Sequence, residues 1–158
     1  MPTLTTFLTY PERAEEAVEL YTSIFPDSEV LETTRYGPAG PGTPGSVMTL
    51  RFRLLGEELV ALNGGPSFEF AQGFSLLVTC DTQEEVDAYW DALAAEGREV
   101  ACGWVTDKFG VSWQIIPKLL MELITDADPA AAQRVMQAML KMTKIETDEL
   151  LEAYNAAA

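Results

Sequence analysis

One short stretch holds most of the side chains able to do chemistry: Cys102-Gly103-Trp104-Val105-Thr106-Asp107-Lys108-Phe109-Gly110-Val111-Ser112-Trp113-Gln114-Ile115. Cys102 offers a nucleophile if a cation lowers its pKa. Asp107, with Glu69 on an earlier segment, offers a general base if burial raises its pKa. These three are the candidate catalytic residues. The chain contains no histidine, which excludes Ser-His-Asp and Cys-His nucleophilic catalysis as usually built and removes the commonest general base near neutral pH. Asp107 to Gly110 reads as a tight turn between two strands. Around it Trp104, Phe109 and Trp113 supply large rings, which either pack a core or line a cleft. Trp113 and Gln114 are strand neighbours and face opposite ways, so at most one reaches a cleft unless the strand bulges.

Two other motifs carry less. Gly40-Pro41-Gly42-Thr43-Pro44-Gly45 matches G-x-G-x-x-G, but a dinucleotide loop must open a helix whose N-terminus holds the pyrophosphate. The strand-like Ser46-Val47-Met48-Thr49-Leu50 follows, so the segment reads as a hairpin connector. The same objection tells against a doubly wound adenosylmethionine-binding fold. Asp126-Ala127-Asp128 lacks the glycine and glutamate of a calcium loop, having Ala131 and Gln137 in those places, and reads as a helix cap.

The elements that hold these residues come in two copies. Residues 14–24 and 83–93 both show the i, i+3, i+4, i+7 stripe of an amphipathic helix, through Ala17, Leu20, Tyr21 and Ile24 and through Val86, Tyr89, Trp90 and Leu93. Both open with paired glutamates suited to the helix dipole, and Thr82 with Glu85 has capping-box spacing. Strand-like runs precede them at Leu4–Thr9 and Phe74–Thr79. Three more follow each: Glu29–Tyr36, Val47–Leu54 and Glu58–Leu62, then Glu99–Cys102, Trp104–Thr106 and Ser112–Ile116. Each half therefore reads β-α-β-β-β. The expected organisation is one α+β domain over residues 1–158, with a first module at 3–66, a second at 73–117 and a helical tail at 118–158. In that tail Asp128 caps a helix with Pro129 in its first turn, which carries Val135, Met136, Met139 and Leu140; another helix begins near Thr147 with Leu150, Leu151 and Tyr154 apolar.

Composition bounds the partners. Twenty-five acidic residues against ten basic ones give a formal charge of −15, and the scattered cations form no patch for nucleic acid or an anionic membrane. The same balance hints at a neutral or cationic ligand over an anionic one. No apolar run approaches the roughly 18 residues of a membrane span. The first residues lack a signal peptide's basic and apolar regions, so a cytoplasmic location is expected. Cys80 and Cys102 are then expected as free thiols, and two thiols without histidine make no structural zinc site.

Several segments resemble the PhnB-like (3-demethylubiquinone 3-methyltransferase-like) group of the vicinal oxygen chelate superfamily, which includes glyoxalase I and bleomycin-resistance proteins. They are Ala14-Glu15-Glu16-Ala17, Phe25-Pro26-Asp27-Ser28, Arg35-Tyr36-Gly37, Gly45-Ser46-Val47-Met48-Thr49, Ala61-Leu62-Asn63-Gly64-Gly65-Pro66, Cys102-Gly103-Trp104, Asp126-Ala127-Asp128-Pro129 and Arg134-Val135-Met136-Gln137-Ala138-Met139. The resemblance implies the duplicated βαβββ glyoxalase/bleomycin-resistance fold. It also implies a divalent metal held by His and Glu on β1, β4, β5 and β8. Those positions fall here near Thr6, within Ala61–Asn63, near Ser75 and on Gln114. Neutral Thr, Ser and Gln are poor ligands for a transition metal, so no metal and no cofactor are expected.

Three functions compete at this point. The first is a metal-free pocket binding a small organic ligand through Thr6, Asn63, Ser75, Trp104, Trp113 and Gln114. The second is a metal-independent enzyme (isomerase, lyase or transferase) using a carboxylate or thiol. The third is a structural or regulatory homodimer, clasped by the helical tail.

Overall fold

A computed structural model of the chain describes residues 1–156 and divides into two compact units, Met1–Phe70 and the chain from Ala71 onward. The first runs β1 (Thr6–Tyr10), α1 (Ala14–Ile24), β2 (Glu29–Arg35), β3 (Val47–Leu54) and β4 (Glu57–Asn63). Its sheet has the order β1-β4-β3-β2, with β1 parallel to β4 and the other neighbours antiparallel. Strand alternation sends Leu8, Tyr10, Leu50, Phe52, Leu59 and Ala61 to one face, where they are buried with Ala14, Ala17, Val18 and Tyr21 of α1. Burying each large side chain stabilises the unit by about 1.5–3 kcal/mol. The buried stripe of α1 is rotated from the one expected: Val18 is enclosed, while Leu20 and Ile24 are only half-buried. Pro26 ends the helix by forcing Phe25 into extended backbone.

The second unit repeats the order with β5 (Ser75–Cys80), α2 (Gln83–Ala94), β6 (Arg98–Glu99), β7 (Trp104–Thr106) and β8 (Ser112–Pro117), and adds α3 (Lys118–Ile124), α4 (Pro129–Met139) and α5 (Thr147–Asn155). Its sheet order, β5-β8-β7-β6, matches the first, again with one parallel pair, β5 and β8. The capping box forms: Thr82 Oγ1 accepts the N–H of Glu85 at 3.2 Å, and Glu85 reaches back to the N–H of Asp81 at 2.8 Å.

β6 is shorter than the expected Glu99–Cys102. Cys102 and Gly103 have φ of 59° and 83°, outside the β region, and their N–H groups donate to the carbonyls of Met142 and Thr143, both at 2.8 Å. The tail thus holds this bend in place of a sheet partner. With φ in the left-handed region and a Cβ on Gly103 set 2.7 Å from Ile116 Cδ1, any side chain there is strained.

The tail has its own apolar cluster, Leu120, Leu123, Val135, Met142, Ile145 and Leu150, which closes over Ile116 of β8. It is fastened to α2 as well, since Gln83 bonds the carbonyl of Ile145 and the N–H of Thr147 and Lys144 pairs with Asp87. Asp128 caps α4 as expected, accepting from Ala130 and Ala131. Leu140 and Leu151, read as apolar helix faces, are instead exposed. No helix among the described residues is long and apolar enough to cross a membrane.

Candidate functional site

In each unit the helix covers one face of the sheet. On the second sheet the opposite face is set by register: Ser75 lies beside Ser112 and Thr106, and Leu77 beside Gln114 and Trp104. Gln114 Nε2 donates to Ser75 Oγ at 3.0 Å. A cavity of about 320 Å³ opens here, lined by Gln72, Val100, Ala101, Cys102, Trp104, Thr106 and Ser112. The bend at Cys102 and Gly103 turns the chain so that Cys102 and Trp104 both contribute to it. Ile116, two residues beyond Gln114 on the same face, is buried under the tail, which closes that end of the face.

Trp113 points the other way, among the residues under α2, and is 1% exposed. Its indole N–H donates to Asp107 Oδ2 at 2.9 Å, while Asp107 Oδ1 accepts from the N–H groups of Phe109 and Val111 at 2.9 and 3.1 Å. Asp107 is 3% exposed. Its carboxylate is thus the internal scaffold of the β7–β8 turn, closed by Gly110 N–H to Asp107 O at 3.0 Å. Trp90 is anchored in a similar way, its indole N–H donating to Glu99 at 2.9 Å. Trp104 is the tryptophan that reaches the cavity.

The two site residues of the first unit sit differently. Thr6 shares a face with Leu8 and Tyr10, toward α1, and its neighbour Phe7 is the residue on the opposite face, 55% exposed. Asn63 lies in register with Tyr10 and caps α1: its Oδ1 accepts the N–H of Ala14 at 2.8 Å, and its Nδ2 donates to Val47 O at 3.0 Å. That cap stands in for Arg13, which precedes the helix with φ of 67° and makes no side-chain cap. A cleft of about 520 Å³ adjoins Asn63, with Glu12, Arg13, Glu15 and Tyr36 among its walls. The Tyr36 hydroxyl donates to the Asn63 carbonyl, and Gly40 and Gly42 lie flat on the Tyr36 ring, where a Cβ would meet it at 2.5 and 2.3 Å. The glycines of the G-x-G-x-x-G segment therefore serve close packing on a tyrosine. Glu69 stands exposed on the loop after β4.

Burial separates the two thiols. Burial, with Glu85 and Asp81 nearby, pushes Cys80 up to about 12 and leaves it inert. Cys102 is half-buried at the cavity. The donor set does not suit a transition metal. Ser75 and Gln114 offer neutral oxygens and bond each other, and no group of three or more His, Cys, Asp or Glu among the described residues is placed to hold an ion.

Comparison with known proteins gives a family match over residues 2–116, to the 3-demethylubiquinone-9 3-methyltransferase model. Among solved structures, a PhnB protein from Bacillus cereus is 38% identical, over 73% of this chain and 99% of its own, with a TM-score of 0.68. A Pseudomonas aeruginosa protein is 20% identical over 74% of this chain and 98% of its own, with a TM-score of 0.62. A glyoxylase/bleomycin resistance protein/dioxygenase domain from Frankia is 18% identical over 74% and 97%, with a TM-score of 0.49. A comparison with curated proteins finds no match. The family match ends at β8, before the tail helices.

Proposed function

The chain belongs to the 3-demethylubiquinone-9 3-methyltransferase family, the PhnB-like group of the glyoxalase/bleomycin-resistance fold, and from that premise we propose that it binds a small organic molecule, without a metal, in the cavity beside Trp104. The observation that carries this reading is the grouping of one free aromatic ring with the Thr106 and Ser112 hydroxyls in a recess of about 320 Å³, the low end of the range for small-molecule sites. Methyl transfer, named in the family description, is not part of this reading, because the glycine segment packs on Tyr36 and leads into β3. A thermal-shift screen of a metabolite library tests it. Hits should raise the melting temperature of the parent protein and lose most of that shift in Trp104→Ala; a library with no hits, or hits indifferent to the substitution, contradicts it.

One observation favours a second reading, a metal-independent enzyme with Cys102 as nucleophile. A non-glycine residue held at φ of 59° at a cavity wall is the kind of backbone strain that gathers at functional sites. Loss of turnover in Cys102→Ser with ligand binding intact would support it. The proposed working form is a cytoplasmic homodimer. Exposed Phe7 and Leu77, at 55% and 50%, support pairing through open sheet faces, and a monomer in light scattering at working concentration contradicts it.

A further inference from the structure

None of the seven residues lining the cavity beside Trp104 carries a charge. Three of the charged groups closest in sequence and register are turned away or engaged, and the fourth, Arg98, shares a face with Thr106 but stands at the exposed edge. Asp107 lies on the other face, holding Trp113, Phe109 and Val111. Glu99 holds the indole of Trp90. Lys108 pairs with Glu96 at 3.1 Å. Arg98, opposite Thr106 in register, is an exposed residue of the edge strand and is not part of the lining. An ion entering such a recess gives up hydration without gaining a counter-charge, a penalty that nothing in the lining offsets. A neutral molecule with one or two polar atoms loses little, because the hydroxyls of Thr106 and Ser112 and the amide of Gln72 can replace its water.

We propose that the cavity selects uncharged, flat, fragment-sized molecules. They would lie with an apolar face toward Trp104 and a carbonyl, amide or hydroxyl toward Thr106 and Ser112, and the cavity would discriminate against isosteric anions and cations alike. This rests on the ligand-binding reading above and goes beyond it by fixing the ligand's charge class. It differs from what the net charge of −15 alone suggests, which is tolerance of cations.

The test uses the full chain and three fluorinated probes of one shape: a benzamide, the matching benzoate and the matching benzamidinium, followed by fluorine NMR line broadening at constant ionic strength near neutral pH. The amide should bind, with both ions at least about tenfold weaker. Trp104→Ala should remove the amide's binding, and Thr106→Val should weaken it, giving a second variant if the first is poorly folded. Equal or tighter binding of either ion overturns the charge-class inference while leaving the ligand site standing. If benzoate wins and loses its advantage in Arg98→Gln, the edge-strand cation is the cause. Three silent probes at their solubility limits overturn the ligand site itself, and the charge-class inference with it.

Discussion

Replacing Asp107 with asparagine keeps the size of the side chain but puts an amide donor against the indole N–H of Trp113. In the parent, one carboxylate accepts three hydrogen bonds inside a turn only 3% exposed. Asparagine preserves an acceptor for Phe109 and Val111 if its oxygen takes the Oδ1 position, but leaves the Trp113 donor buried and unsatisfied. Losing a bond to a charged acceptor and stranding its donor costs about 2–4 kcal/mol in sum, partly offset because no charge is buried. With a urea slope of about 2 kcal/mol per molar, the middle of the usual range, the unfolding midpoint should fall by roughly 1–2 M with the slope unchanged. Urea melts of the two proteins measure this, and exchange of the Trp113 indole proton should accelerate in the variant. A loss of stability under about 0.5 kcal/mol would refute the scaffold role. So would a variant that keeps parent stability and indole protection yet loses ligand binding or turnover, for Asp107 would then act on a ligand.

Gly103→Ala should destabilise by about 2–4 kcal/mol, combining left-handed backbone strain with the 2.7 Å approach to Ile116, and thermal unfolding reads it. At mildly alkaline pH a thiol reagent should label Cys102 in the native protein and reach Cys80 only after unfolding, since burial holds Cys80 near 12; equal rates would contradict the burial. Asp87 is held below its ordinary value, first by the hydrogen bond from Lys144 and then by that from Gln83. Because its charged form is favoured in the folded state, its contribution is present above the unfolded carboxylate value near 3.9 and is lost as pH falls through the lower folded value. The pair is part-exposed, so the effect on tail docking should be under about 1 kcal/mol. Proteolysis of the tail followed against pH should lose this acid-dependent component in Asp87→Asn. Ending the chain at Pro117 uncovers Ile116 and removes the acceptors of Cys102 and Gly103, and should lower the melting temperature and expose dye-binding apolar surface.

The duplicated order of elements was legible because local signals agreed in both halves. The spans of α1 and α2, the Thr82–Glu85 cap, the Asp128 cap and the strands at Val47–Leu54 and Trp104–Thr106 all stand where their residues put them. What was not legible depended on distant partners. The cap of α1 comes from Asn63, far along the chain, so nothing near Arg13 announces it. The bend at Cys102 is held by carbonyls of the tail, and a strand-like local composition reads straight through it. At the site, the opposite facing of Trp113 and Gln114 followed from strand period, and Ser75 does meet Gln114. Placing Thr6 beside them in function did not account for pairing that sets Thr6 on the helix face of its own sheet, where a slip of one residue exchanges faces. Thr106 and Ser112 escaped notice because small hydroxyl side chains in strands give no signal until register brings them together.

A small molecule bound beside Trp104 would report itself through the tryptophans. The chain has three tryptophans, and two of their indole N–H groups are tied down, Trp90 to Glu99 and Trp113 to Asp107. Indole resonances followed by nitrogen–proton NMR during titration with a screening hit test for such binding directly. The Trp104 signal, assigned by its absence in Trp104→Phe, should shift and saturate while the other two hold still. A hit that moves the Trp90 or Trp113 signals and leaves Trp104 unmoved would contradict it.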